Sequence, residues 1–142
     1  MPQLQSLRQI HVMPIADWQL YRQHGEQFLR TAQGAFAKDD GRFTAEAIYN
    51  ICAMAMEKLV MAFLMRRGDL AENHTMADLL RALHRHIQVP ATLAEGFVFI
   101  DDFQRICDLD TQVRRRPSHD QLARMLATAA ALAAFLASDL TD

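Results

Sequence analysis

Arg114, Arg115 and Arg116 stand in a row, followed by Pro117, Ser118 and His119. Nowhere else in the chain are residue types and spacing so suggestive of chemistry. Planar guanidinium forks match phosphate oxygens in pairs. Ser118 reads as the start of a helix, whose first turn offers free backbone N–H groups and the positive end of the helix dipole. Together they make Arg114, Arg115, Arg116 and Ser118 candidate ligands for a phosphate. His119 falls in the first turn of that helix, where the dipole disfavours imidazolium, so a neutral base near pH 7 is expected. His119 is therefore a candidate base beside the arginines. The competing reading is a solvated arginine loop that neutralises Asp101, Asp102, Asp108 and Asp110.

The remaining candidates point less clearly to chemistry. His84 and His86 are two apart and lie on different helical faces. His74 precedes a helix and can simply pack against it. No HExxH or similar spacing appears, so no metal site and no cofactor is expected. Phosphate-loop, dinucleotide-loop and GxSxG signatures are absent. Cys52 and Cys107 are far apart in apolar surroundings and read as buried free thiols. Glu57 and Lys58 interrupt an apolar run, either as a buried pair or with one of them reaching the bundle edge.

These residues sit on a chain of 142 residues that is 51% hydrophobic and 23% charged, the balance of one globular domain. Its formal net charge of −2 argues against a protein that coats long stretches of nucleic acid. Residues 1–13 read as an N-terminal arm without a signal-peptide core, and 14–142 as a single domain. The apolar run Ile51 to Met65 is too short to span a bilayer, so the chain is expected in the cytoplasm and off the membrane.

Five helices must position the arginines. The first is expected over Pro14 to Ala37, with Asp17 in its first turn and a stripe of Trp18, Tyr21, Gly25, Phe28, Ala32 and Phe36. Gly25 on that stripe implies close approach of another helix. The second is expected over Thr44 to Arg67, capped by Thr44 and stopped by Gly68. It is apolar nearly all round, which places it at the centre of a bundle or at a subunit interface. The third begins at Thr75, paired with Asp78. After Pro90 a fourth begins at Thr92, with Glu95 completing a capping box. The fifth begins at Ser118, with Gln121 completing another. No segment reads as a strand, so the expected fold is an all-α, up-and-down bundle.

Three stretches in this order resemble the HEPN domain, a helical domain found with prokaryotic nucleotidyltransferases. They are "AEAIYNICAMAMEKLVMAFLMRRG", "NHTMADLLRAL" and "DLDTQVRRRP". Arg115, Arg116 and Pro117 fall on a family Arg-Tyr-Pro ending, with Arg116 in place of the tyrosine. The resemblance implies a homodimer that binds a nucleotide or phosphate ligand, beside a nucleotidyltransferase or antitoxin partner. It also implies an alternative, since some members are metal-independent ribonuclease toxins that act on RNA with an Arg and a His at the spacing of Arg114 and His119. The chain departs from that nuclease branch at Arg115, where a small polar residue is usual, and at Gln121, where a toxin subgroup has tyrosine. Pro117 also matches the non-nuclease branch. Binding or an accessory role therefore ranks ahead of catalysis, with a purely structural dimerisation protein as a third reading.

Overall fold

The structure, a computed structural model, describes residues 16–109 and 116–141, with side chains of the first segment described through residue 105. Five α-helices follow one another: α1 Trp18–Lys38, α2 Ala45–Arg66, α3 Met76–His84, α4 Ala91–Leu109 and α5 His119–Leu136. A 3₁₀ turn, Ala137–Leu140, follows α5. No strand occurs among the described residues. The all-α bundle expected from the sequence is the fold observed; the expected boundary at residue 13 lies outside the described residues.

Local chemistry explains most of the boundaries. The Thr44 hydroxyl accepts the Ala47 N–H at 3.0 Å and starts α2. Gly68 ends it in a left-handed conformation (φ 71°) that costs glycine little. There the Gly68 N–H reaches the Met65 carbonyl at 3.0 Å and the Asp69 N–H reaches the Leu64 carbonyl at 2.9 Å, which is a Schellman ending. Thr75 starts α3 by accepting the Asp78 N–H at 3.1 Å. Its hydroxyl also donates to the Asp78 carboxylate at 2.7 Å. At α5 the full reciprocal box forms: Ser118 Oγ accepts the Gln121 N–H at 3.1 Å, and Gln121 Oε1 accepts the Ser118 N–H at 2.8 Å.

Two starts differ from expectation. Helix α1 begins at Trp18, because Asp17 adopts a left-handed backbone (φ 74°) and is the cap position rather than part of the first turn. Aspartate tolerates that region better than most residues. Helix α4 begins at Ala91, one residue before the expected Thr92 cap. Its first hydrogen bond runs from the Ala94 N–H to the Pro90 carbonyl at 3.0 Å, so Thr92 sits inside the first turn. Pro90 occupies the cap position with no N–H of its own to satisfy.

Helix α2 is central. It packs against α1, α3 and α5, and Met56, Val60, Ala62, Phe63 and Leu64 are each 0% exposed. Each large side chain contributes about 1.5–3 kcal/mol by leaving water. Length does not exclude a membrane span here: α2, at 22 residues, and His119–Leu140, also 22, are long and apolar enough by composition to cross one. Burial accounts for α2, since 67% of its most apolar stretch lies inside the bundle. Glu57 and Lys58 do not form a buried pair. Glu57 meets His74 Nδ1 at 2.7 Å, and the Lys58 ammonium lies 4.3 Å over the Tyr21 ring. Cys52 is a buried free thiol that donates to the Met125 carbonyl at 3.5 Å, and burial pushes its pKa up to about 12. The side chain of Cys107 lies outside the described residues.

The close approach expected at Gly25 is present. A Cβ there would lie 2.8 Å from Leu59 Cγ and 3.2 Å from the Ala55 carbonyl oxygen. Gly34, on the same helix, has nothing within 4 Å of its Cβ position. The same substitution should therefore have opposite signs at these two sites. Gly34→Ala should raise stability by about 0.5–1 kcal/mol through helix propensity. Gly25→Ala should lower it by about 1–2 kcal/mol, because overpacking outweighs the same gain. Urea unfolding followed by circular dichroism measures both.

Candidate basic corner at the start of α5

The fifth helix starts beside the α1–α2 connection. Pro117 is buried and anchors the backbone just before the helix. Arg116 Nε lies 3.7 Å from Glu46 Oε1, in the first turn of α2, with the Arg116 side chain 79% exposed. Such an exposed pair contributes little stability, and it leaves the guanidinium in water. The Ser118 oxygen is committed to the helix cap, so its part at the corner is first to fix the helix start. His119 is the first helical residue and is exposed. Its ring stacks on Phe36, near the end of α1, with centroids 4.5 Å apart and planes 23° from parallel. Phe36 belongs to the α1 stripe in the sequence, but nothing in that periodicity shows which distant ring it meets.

Of the candidate residues, Arg116, Ser118 and His119 lie at this corner, each with its own partner: Glu46, Gln121 and Phe36. Arg114 and Arg115 lie outside the described residues, as does Asp110; the Asp108 side chain does too. The reading in which the arginine run neutralises Asp101 and Asp102 falls largely on Arg114 and Arg115, outside the described residues; among the described residues these carboxylates meet other partners. Asp101 accepts the Ala77 N–H at 3.1 Å, and Arg105 approaches Asp101 at 3.6 Å and Asp102 at 2.7 Å. Arg116 instead turns to Glu46.

Polar residues elsewhere are tied into the frame. Arg66 donates to the Asp139 carbonyl, Arg67 pairs with the Asp139 carboxylate at 2.7 Å, and Arg22 donates to the Leu140 carbonyl at 2.6 Å. These cations sit on the carbonyl-rich end of the last turns, where positive charge is favoured. A cleft of about 250 Å³ between α3 and α4 is lined by Leu80, Arg81, His84, Val98 and Asp101. Arg81 there is held by Asp78 at 2.8 Å. No group of three or more His, Cys, Asp or Glu side chains is arranged to hold a metal among the described residues.

Among the described residues, Asp69 is the most strongly engaged carboxylate. His86 Nε2 lies 2.7 Å from its Oδ2, and Arg85 donates from both Nε (3.2 Å) and an amino group (2.9 Å). Burial by itself would raise the carboxyl. The hydrogen bonds from His86, Arg85 and the Leu70 N–H, with the Arg85 charge, bring it below the usual carboxylate range.

No protein-family model matches the chain, and no curated protein matches it. Among solved structures, the crystal structure of TT1696 from Thermus thermophilus matches with a TM-score of 0.71 at 22% identity. The match covers 89% of this chain and 100% of that one. At that identity the likeness speaks to the fold, and it agrees with the helical bundle described above.

The Asp69 node has a pH signature. A group whose folded pKa is depressed contributes stability that is present above its unfolded pKa, near 3.9, and is lost as pH falls through the lower folded value. Asp69→Asn should therefore lower stability at pH 7, and the gap from wild type should shrink as pH falls below about 4. Urea unfolding of both proteins across that range measures it.

Proposed function

We propose that this chain is a HEPN-like cytoplasmic homodimer that binds a nucleotide or other phosphate-bearing ligand at the start of α5, as an accessory module for a nucleotidyltransferase partner. The observation that carries the reading is the exposed first turn of α5, with His119 at its head and the solvated Arg116 guanidinium before it. That turn presents N–H groups at the positive end of the helix dipole. In the sequence Arg114 and Arg115 lead directly into it, adding two more forks of the kind that grip phosphate. Ser118 and Gln121 take up each other's N–H groups in the cap and order the turn, so a ligand need not do so.

Ribonuclease activity is the second reading, favoured by the exposure of His119 and its sequence spacing from Arg114. In that reaction His119 moves a proton at the attacking 2′-hydroxyl or the leaving oxygen, and Arg114 stabilises the charge that builds on the phosphate.

Calorimetric titration with nucleoside monophosphates distinguishes the first reading from a structural role. Binding should weaken about tenfold in Arg114→Ala and in Arg115→Ala, as expected when one charge-assisted contact is lost. No binding of any nucleotide or RNA overturns it. For the second reading, RNA incubated with the protein in EDTA should be cut, and His119→Ala should abolish the cutting. Intact RNA removes catalysis and leaves binding standing.

A further inference from the structure

The capping box and buried Pro117 hold the backbone of residues 117–121. They leave the His119 ring itself undetermined. At the first helical residue no preceding turn restricts χ1, and the χ2 torsion of histidine is broad and roughly two-fold. Something outside the helix must choose the ring plane. Phe36 is the group in place to do so: its ring lies 4.5 Å from the imidazole and within 23° of parallel. Turning χ2 would tilt the imidazole off this partner. Phe36 is itself partly buried against the core, so the surface it offers is anchored by α1.

We propose that Phe36 is the positioning residue for His119, fixing the imidazole plane through its face and leaving its edge, with both nitrogens, for hydrogen bonding. The inference rests on the ligand reading of the corner, but the stack is testable without it. Face contact is the geometry such a role requires. A hydrogen-bonded partner on a nitrogen would fix the ring equally well and would consume the atom a ligand needs. An aromatic face holds the ring without occupying either nitrogen, and stacked aromatic pairs add to stability beyond the area they bury. The pair also joins the end of α1 to the start of α5, so displacement of either helix end would reach the imidazole directly.

The test uses the full chain, with Phe36→Leu as the disruptive variant and Phe36→Tyr as the conservative one. In wild type, the His119 Cε1 proton should resonate upfield of the other exposed histidines, because it lies over an aromatic ring. Phe36→Leu should remove that shift and Phe36→Tyr should keep it, with helical content unchanged in both by circular dichroism. Nucleoside monophosphate affinity should fall about threefold to tenfold in Phe36→Leu, the cost of re-immobilising one side chain on binding, and recover in Phe36→Tyr. A wild-type His119 without the upfield shift overturns the stack. A shift that is lost in Phe36→Leu while affinity stays the same overturns the positioning role and leaves the ligand reading intact. Absence of any binding by wild type overturns the ligand reading and the role with it, and the shift then decides the stack alone.

Discussion

Helix α2 has too little polar surface to lie on the outside of a monomeric bundle, and the other elements are arranged by that constraint. Its buried face wraps from Ala55 and Leu59, against α1, through Cys52, against α5, to Tyr49, whose ring meets Phe103 of α4 at 5.1 Å. Close approach is needed on the α1 side, and Gly25 provides it by having no side chain. The same device recurs between α4 and α5, where a Cβ on Gly96 would lie 2.4 Å from Thr128 Oγ1. The helices are thus brought together by what two glycines lack as well as by what the large residues fill. The polar residues of α2 sit where the wrapping ends: Glu57 reaches His74, and Lys58 lies on Tyr21.

The ends of the bundle solve a different problem. Each helix leaves unpaired N–H groups at its start and unpaired carbonyls at its finish. At one end Thr44 and Ser118 satisfy the donors, and Glu46 and Arg116 meet between the two helix starts. At the carbonyl end of the last turns, Arg22, Arg66 and Arg67 converge on Asp139 and Leu140. All these arginines are used, but differently. The second group is drawn in against protein carbonyls and a carboxylate, whereas the Arg116 side chain stays 79% exposed. That difference in exposure, rather than the number of arginines, is what makes the start of α5 the better candidate for an external anion.

The sequence reads well where the physics is local. Thr44, Gly68, Thr75 and Ser118 mark helix boundaries because a cap or a left-handed residue needs only neighbours within one turn. Gly25 is legible because a glycine on an apolar stripe has few other uses. Asp17 misleads because an acidic residue near a helix start favours the first turn, and only the backbone shows that it has turned left-handed. Thr92 misleads because a good capping residue one position into the helix competes with the proline carbonyl, which begins the ladder first. Leu29 is buried although it is absent from the expected stripe, since the face α1 presents is wide enough to meet both α2 and α5. The partners of Asp101, Asp102 and Arg116 are beyond reach for another reason. Their charges are plain in the sequence, but pairing depends on which helix ends become neighbours.

The candidate site and the core are coupled through α1. Gly25 and Phe36 are eleven residues apart on one helix, about three turns, which brings them to nearly the same side about 16 Å apart along the axis. Gly25 sets how closely α1 lies on α2, because Leu59 Cγ and the Ala55 carbonyl oxygen of α2 lie only 2.8 and 3.2 Å from where its Cβ would be. An α-helix of 21 residues is stiff over that distance. The position of Phe36, and with it the plane offered to His119, therefore follows from a packing contact three turns away. Pro117 and the Ser118 cap supply the other half by fixing where α5 begins. A ring pair between two helix ends is sensitive to both, so the geometry at the corner depends on the same burial of α2 that organises the bundle.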